Sequence, residues 1–306
     1  MIAIVGPPGV GKTTLLKSLV RRYTKQSLND AKGPITVVSG KKQRLTFVEC
    51  NNDINSMIDI GKIADLVILM IDGSFGFEMV CSRLSFRTHI QTSCISQETF
   101  EFLNILQAHG FPKVIGVLTH LDLVKSASTL RATKKNLKKR FWTEIYRGAK
   151  LFYLSGVLNG RYPDTEILNL SRFISVMKFR PLVFRNSHPY LIADRLEDLT
   201  PREMVRTNSN CDRIVTVYGY VRGTHLRLGT KVHIPGVGDL DMKSVTLLGD
   251  PCPLPDVNSE KRRRLSEKRK LLVHAPMTDL GGVVYDKDAV WVNVPGSFTR
   301  GNVDRM

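Results

Sequence analysis

A glycine-rich segment near the start of the chain has the residue types and spacing of a phosphate-binding loop. Gly6-Pro7-Pro8-Gly9-Val10-Gly11-Lys12-Thr13 fits the pattern G-x-x-x-x-G-K-S/T completely. A strand is predicted before it and a helix after it, so backbone N–H groups can surround phosphate oxygens, and this context favours nucleotide binding over a turn without a ligand. In such loops the lysine reaches the β- and γ-phosphates and the hydroxyl ligates Mg²⁺. The candidate phosphate-binding residues are Gly6, Gly9, Gly11, Lys12, Thr13 and Thr14.

A second motif bears on the identity of the base. Thr119-His120-Leu121-Asp122 follows an apolar run, at the position where guanine-specific proteins of this type carry N/T-K-x-D. The Asp122 carboxylate can accept hydrogen bonds from the guanine N1–H and 2-amino groups, which adenine lacks, and Ser155 is a candidate for the base loop. An aspartate that only caps the next helix is the alternative. The motif favours GTP over ATP, and His120 in place of lysine predicts weaker stacking on the base.

The residues expected to support hydrolysis are less regular. Thr36 is the candidate switch threonine for Mg²⁺ and the γ-phosphate, although a simple strand threonine explains it equally well. Where a D-x-x-G element should follow the next strand, the sequence has Glu49-Cys50-Asn51-Asn52. Glu49 is the candidate Mg²⁺ ligand, acting through water, and Asp53 is the candidate substitute for the missing water-orienting glutamine. We therefore expect slow intrinsic hydrolysis by a site that includes Lys12.

These motifs need elements that hold them. Short apolar strands alternate with helices up to about residue 180, which predicts a P-loop α/β domain at residues 1–180, with a mostly parallel sheet flanked by helices. Beyond that point β-rich segments are separated by Gly, Pro and Asp, which predicts a β-barrel domain at residues 181–306. The predicted strands there lie at residues 213–221, 229–234, 243–248 and 283–294.

Composition limits the functional classes. The chain has 306 residues, a formal net charge of +17 and 42% hydrophobic residues, as expected for a packed protein with a polyanionic partner. Its longest apolar run, residues 66–71, is far shorter than the roughly 20 residues of a membrane span, so no membrane partner is expected. Five scattered cysteines without a C-x-x-C pair argue against a disulfide scaffold or a zinc ribbon.

Two basic clusters are candidate RNA contacts. Basic residues at three- and four-residue spacing form a stripe on a predicted helix, and a solvated helix face explains this stripe as well as an RNA contact does. The second cluster, within residues 261–270, fits a nuclear localisation signal, a phosphate contact or a charged loop. The stripe consists of Arg131, Lys134, Lys135, Lys138 and Lys139.

Taken together, these segments resemble the Bms-type GTPases of ribosome biogenesis, in the Bms/Tsr family of translation-factor-like P-loop proteins, over their N-terminal portion. The atypical Glu49 and the missing glycine and glutamine are features of that family too. The matching segments are residues 6–14, 33–42, 72–78, 118–122, 141–144 and 151–156, then 188–190, 194–198 and 233–239.

The resemblance implies a GTPase of the nucleus and nucleolus that acts in the small-subunit processome, in pre-rRNA processing and small-subunit assembly. It implies GTP/GDP and Mg²⁺ as cofactors. The implied partners are pre-rRNA, small nucleolar RNA, the pre-ribosomal small-subunit particle and a protein similar to RNA 3′-terminal phosphate cyclases. A β-barrel of the translation-factor type is implied for the second domain.

One segment departs from the family pattern. Residues 80–97 separate Phe-Gly-Phe-Glu-Met from Glu-Thr-Phe-Glu-Phe, which are contiguous in the family. A surface insertion is one explanation. A retained intron is the other, because Val80-Cys81 can be encoded by GTATGT and Gln97 by CAG, which are common splice-site sequences.

Three other functional classes compete with this interpretation. A translation elongation or termination GTPase is disfavoured by the missing D-x-x-G-H sequence. A nucleotide-independent scaffold of the Tsr type is disfavoured by the intact phosphate loop. An ATPase or kinase is excluded if Asp122 recognises guanine.

Overall fold

The apolar runs of the first half of the chain form one six-stranded sheet. Its strands are β1 (Ile2–Val5), β2 (Ile35–Ser39), β3 (Gln43–Glu49), β4 (Leu66–Asp72), β5 (Lys113–Thr119) and β6 (Leu151–Tyr153). Their order in the sheet is β2-β3-β1-β4-β5-β6, and all neighbours are parallel except β2 with β3. The predicted mostly parallel sheet is confirmed.

The molecule is described here from a computed structural model, over residues 1–24, 28, 34–39, 43–74, 97–124, 126–179 and 182–248. It divides into two compact units, Met1–Arg180 and Pro181–Pro251. The extent of the second domain to residue 306 stays a prediction. Residues 80–96 lie outside the described residues, and so do residues 261–270 and 283–294. Gln97, the last residue of the unusual segment, is the first residue of a helix.

Helices cover both faces of the sheet. One hydrophobic cluster joins Leu16 and Leu19 on one face to Ile167 and Leu170, and a second joins Met57, Phe102 and Phe141 across the other face. Sheets buried on both faces are made of nearly continuous apolar strands, as β4 illustrates. The helices are α1 (Lys12–Thr24), α2 (Ile54–Ile63), α3 (Gln97–His109), α4 (Ala127–Glu144) and α5 (Asp164–Val176).

The second unit contains short helices and antiparallel strand pairs. Its elements are α6 (Val183–Ser187), β7 (Tyr190–Asp198), α7 (Arg202–Thr207), β8 (Val215–Arg222), β9 (Lys231–Ile234) and β10 (Gly238–Asp241). Strand β7 pairs with β8 and β9 pairs with β10. Within residues 182–248 these are two separate pairs, and a closed barrel is not shown.

One predicted strand is not formed, and the structure contains a helix that the sequence did not predict. Residues 243–248 form no strand, and Leu247 is 96% exposed, because no neighbouring strand within the described second unit pairs with them. Helix α2 was not predicted, although its buried Met57 and Ile60 pack against the sheet. No helix in the described ranges is long and apolar enough to cross a membrane.

Candidate nucleotide-binding site

The sheet order brings the predicted site residues to one edge. Strands β1 and β3 are parallel neighbours, with Ile4 opposite Glu49, so the loop after β1 meets the segment after β3. Strands β5 and β6 are also neighbours, so the segments that follow them meet in the same way. Ligands of parallel α/β sheets bind outside the carboxyl ends of the strands, and this is that edge.

The phosphate loop connects β1 to α1 in a conformation that requires glycine. Gly9 and Gly11 have φ angles of +77° and +92°, which residues with a β-carbon rarely adopt. Gly6 packs so closely on β4 that a β-carbon there would lie 2.8 Å from the Met70 carbonyl oxygen. Lys12 begins α1, so the loop ends at the positive end of a helix.

The Lys12 side chain is held by two acceptors. Its Nζ donates to the Gly6 carbonyl oxygen at 2.9 Å and to Asn52 Oδ1 at 2.7 Å. Asn52 was not among the predicted site residues. It occupies the position of the glycine in the expected D-x-x-G element, and that substitution is the signal from which it could have been found.

Thr13 and Glu49 meet at the same end of the site. The Thr13 hydroxyl lies 2.9 Å and 3.0 Å from the two carboxylate oxygens of Glu49. A hydroxyl and a carboxylate are hard oxygen ligands of the kind that Mg²⁺ prefers, so the residues present fit this ion. No group of three or more His, Cys, Asp or Glu side chains that could hold a metal occurs in the described part of the chain. Thr14 follows in α1, and its carbonyl oxygen accepts a hydrogen bond from the Ser18 hydroxyl.

The structure does not bring Thr36 to this cluster. Thr36 pairs with Thr46 across β2 and β3, both are buried, and their hydroxyl oxygens are 3.1 Å apart. Side chains alternate between the faces of a strand, so Thr46 faces away from α1 whereas Phe47 and Glu49 face towards it. The role of Thr36 as a switch threonine stays a prediction. This role requires β2 to change its pairing with β3.

Asp53 precedes α2 at the N-cap position. Its side chain is exposed and makes no capping hydrogen bond. It lies one residue from Asn52, which contacts Lys12, but the structure shows no contact of its side chain with the phosphate loop. Its role towards the attacking water also stays a prediction.

The predicted base-binding residues converge at the other end of the site. The Asp122 backbone N–H donates to the Ser155 carbonyl oxygen at 2.8 Å. A β-carbon on Gly156 would lie 2.7 Å from the Asp122 carboxyl carbon, so glycine permits this close approach. Thr119 is fully buried, and its hydroxyl lies 3.4 Å from the Ile71 carbonyl oxygen.

Two acidic side chains that the sequence did not reveal support this end. Glu166, in the first turn of α5, accepts hydrogen bonds from the Ser155 backbone N–H at 3.0 Å and from its hydroxyl at 2.8 Å. Asp72 Oδ2 lies 2.8 Å from His120 Nδ1. Burial acts to raise the pKa of Asp72, but hydrogen bonds from Ser74 and the His120 ring outweigh it, so this pKa is lowered.

His120 has a φ of +53°, in the left-handed region, and directly precedes a 3-10 turn at Leu121–Leu123. A non-glycine residue in this region is uncommon and is typical of functional loops. The hydrogen bond to Asp72 orients the His120 imidazole, which stands where the N/T-K-x-D pattern has lysine.

Together, the strand–glycine loop–helix unit and the edge of the parallel sheet define a P-loop nucleotide-binding protein. Two family models match the chain: the AARP2CN (NUC121) domain over residues 178–251 and the ATPase family associated with various cellular activities (AAA) over residues 2–73. The second match covers the phosphate-binding half and stops before Asp122.

Curated relatives match nearly the whole chain. The ribosome biogenesis protein bms1 of Schizosaccharomyces pombe is 60% identical over 97% of the chain and 25% of its own length. The human homolog is 55% identical, over 97% and 22%, and the Saccharomyces cerevisiae protein is 57% identical, over 96% and 26%. Over nearly its whole length the chain is therefore similar to ribosome biogenesis proteins of the Bms type. It spans about a quarter of the length of these relatives.

A pre-rRNA-processing protein and a solved structure are less similar to the chain than the relatives above. The human pre-rRNA-processing protein TSR1 homolog is 27% identical over 70% of the chain and 23% of its own length. A solved structure of the elongation factor SelB from Methanococcus maripaludis, in complex with a GTP analogue, covers 78% of this chain and 44% of its own at 15% identity, with a TM-score of 0.49. That likeness is too low to carry a conclusion.

Proposed function

We propose that this chain is the GTP-binding and GTP-hydrolysing part of a ribosome biogenesis factor that acts in pre-rRNA processing and small-subunit assembly. One observation carries the proposal: a complete phosphate loop and the Asp122 carboxylate stand at the same edge of one parallel sheet. High identity to ribosome biogenesis proteins supports the cellular role.

Guanine is the proposed base because Asp122 is exposed beside Ser155 and Gly156. A carboxylate there is satisfied by the two N–H donors of guanine and left unsatisfied by adenine, which makes discrimination strong. The AAA match names ATPases, so ATP is the competing nucleotide that the experiment has to include.

Thr13 and Glu49 are the proposed Mg²⁺ ligands. The ion, when bound, would neutralise phosphate charge. Lys12 binds the phosphates once it is released from Asn52. Slow intrinsic hydrolysis is expected, because neither Thr36 nor Asp53 lies against the phosphate loop in this arrangement.

Helix α4 is the proposed contact to RNA. Apart from Glu144, its charged residues are all basic, and Leu137 and Phe141 bury the opposite face. Lys134 and Lys138 lie over the Tyr153 and Trp142 rings, with Nζ 5.0 Å and 4.8 Å from the ring centroids. The exposed basic side chains are Arg131, Lys135, Lys138 and Lys139.

The remaining family properties are proposals for the longer protein. They are a nuclear and nucleolar location, and association with pre-rRNA, small nucleolar RNA, the pre-ribosomal small-subunit particle and a protein similar to RNA 3′-terminal phosphate cyclases. A translation-factor-type β-barrel is likewise proposed for the second domain, supported by the antiparallel pairs β7–β8 and β9–β10.

The nucleotide proposal is tested by equilibrium binding of fluorescent GDP, GTP and ATP with Mg²⁺. We expect guanine-selective binding that Lys12→Ala abolishes. Asp122→Asn should favour xanthosine over guanosine nucleotides, because an amide N–H can donate to the 2-oxo group of xanthine. Absence of any nucleotide binding would overturn the proposal in favour of a scaffold of the Tsr type.

The RNA proposal is tested by the salt dependence of binding to an rRNA-derived duplex. Neutralising Arg131, Lys135 and Lys139 with glutamine should reduce the log–log salt slope by about 2–3, since each phosphate contact contributes about 0.9. The control neutralises the exposed Arg202, Arg206 and Lys231 of the second unit. If the two triple variants lower the salt slope equally, α4 makes no specific RNA contact and its basic residues form only a solvated helix face.

A further inference from the structure

Tyr162 carries a buried hydroxyl that has no hydrogen-bond partner. Its side chain is 3% exposed, and its hydroxyl oxygen is the one buried side-chain nitrogen or oxygen in the described ranges that lacks a bond. Buried polar groups are almost always paired, since an unpaired one loses its hydration without replacement. This exception therefore needs an explanation.

The hydroxyl points at the phosphate loop. A β-carbon built on Gly11 would collide with the Tyr162 hydroxyl oxygen, so this oxygen lies directly against the backbone one residue before Lys12. Gly11 is also one of the two loop glycines with positive φ. The unpaired donor is thus aimed at the part of the loop whose N–H groups surround phosphate oxygens.

The surrounding chain fixes this direction. A tight turn at Asn159 and Gly160 is closed by two backbone hydrogen bonds between Leu158 and Arg161, of 2.7 Å and 3.0 Å. Pro163 follows Tyr162 as the N-cap residue of α5. The ring belongs to the same hydrophobic cluster as Leu16, Leu154 and Ile167 of the described core. A hydroxyl on so constrained a ring is preorganised.

The local charges keep the hydroxyl protonated. Burial above all, together with the nearby Asp122 and Asp72 carboxylates, raises the pKa of Tyr162 to about 12. At neutral pH the group is a hydrogen-bond donor near two anionic side chains, neither of which is its partner.

We propose that Tyr162 is a nucleotide-binding residue, whose hydroxyl donates a hydrogen bond to a diphosphate oxygen of the nucleotide held at Gly11. The inference rests on the proposed nucleotide-binding function and deepens it. A phosphate oxygen is the fitting acceptor because the hydroxyl lies against the phosphate loop, and hydrogen bonds to anionic oxygens are stronger than those between neutral groups.

Tyr162→Phe removes this hydroxyl and leaves the ring in the core. We expect its affinity for both GDP and GTP to fall by about 5- to 30-fold, with the thermal midpoint of the nucleotide-free protein unchanged or raised. The matched control is Tyr23→Phe, which removes a hydroxyl that donates to the Ser171 carbonyl oxygen at 3.0 Å in the same cluster. That variant should lower the thermal midpoint and leave nucleotide affinity unchanged.

The outcomes separate the two proposals. If the unsubstituted chain binds guanine nucleotides and Tyr162→Phe binds them equally well, the role of Tyr162 is overturned and nucleotide binding stands. A lower thermal midpoint of nucleotide-free Tyr162→Phe with unchanged affinity would likewise assign the hydroxyl to stability alone. If the unsubstituted chain binds no nucleotide, both proposals fail.

Discussion

Lys12 Nζ lies 2.7 Å from Asn52 Oδ1, although Asn52 stands where a hinge glycine would normally be. Lys12, the proposed phosphate ligand, thus donates a hydrogen bond to the segment after β3, which is the segment expected to respond to the phosphate. A nucleotide bound as proposed would compete with this amide oxygen for the Lys12 ammonium group. This competition is absent wherever a glycine occupies the position.

Asn52→Ala should raise the affinity for GDP by about 2- to 5-fold, because an exposed hydrogen bond to Lys12 contributes roughly 0.5–1 kcal/mol to the nucleotide-free state. Binding of fluorescent GDP measures this change. The control is Asn51→Ala, since Asn51 is also exposed and its side chain has no bond to Lys12. A lower affinity of Asn52→Ala would instead show that the amide contacts the nucleotide directly.

Glu49→Gln should weaken the dependence of nucleotide binding on Mg²⁺. The Glu49 carboxylate lies within 3.0 Å of the Thr13 hydroxyl, where it repels phosphate unless a cation stands between them. We expect removal of Mg²⁺ to weaken GDP binding by more than tenfold in the unsubstituted chain and by clearly less in the variant. Titration of GDP at several Mg²⁺ concentrations tests this, and identical Mg²⁺ responses would rule out Glu49 as a ligand.

Glu166→Ala should loosen the base loop. The carboxylate accepts both the backbone N–H and the hydroxyl of Ser155, so its loss leaves two donors without their partner. We expect the preference for GDP over ADP to fall by about tenfold. Asp164→Ala removes an exposed acid from the same helical turn and should leave the preference unchanged, which separates the hydrogen bonds from the helix dipole. Equal losses in the two variants would contradict the specific role of Glu166.

Tyr162→Phe should make the protein more resistant to alkaline pH. Because the folded-state pKa is about 12 against an ordinary value of 10.0, the unfolded chain loses this proton first, and the free energy of unfolding falls as pH rises from 10 towards 12. The expected loss over this window is on the order of 2–3 kcal/mol, and the variant should lack it. About half of this loss, roughly 1.3 kcal/mol, falls between pH 9 and pH 11, where denaturant unfolding measures it, and parallel pH profiles of the two proteins would disprove the prediction.

The sequence predicted the phosphate loop and the sheet because both depend on local patterns. Gly6 to Thr13 form a contiguous motif, and the apolar strands are continuous runs that need burial on both faces. The meeting of Thr13 with Glu49 agrees with the motif positions, from which both residues were predicted to be Mg²⁺ ligands. Helix α2 was missed, since it is only ten residues long and contains Asn55 and Gly61, which are poor helix formers.

The contacts that complete the site depend on chain segments that are distant in sequence. Asn52 reaches Lys12, and Tyr162 reaches Gly11, only after the sheet has brought their loops together. Thr36 lies in β2 and is buried on the face of the sheet away from α1, and this placement depends on the register of β2 with β3, which no local pattern specifies. The identity of the base and the role of Glu49 towards Mg²⁺ stay predictions.

The site is assembled from segments that follow β1, β3, β5 and β6, which span most of the first unit from Ile2 to Tyr153. The phosphate loop follows β1 and the Asp122 segment follows β5, and β4 lies between these two strands in the sheet. A nucleotide bound as proposed would contact segments from across this sheet, and by mass action it would stabilise the folded unit against partly folded forms in which these segments are apart.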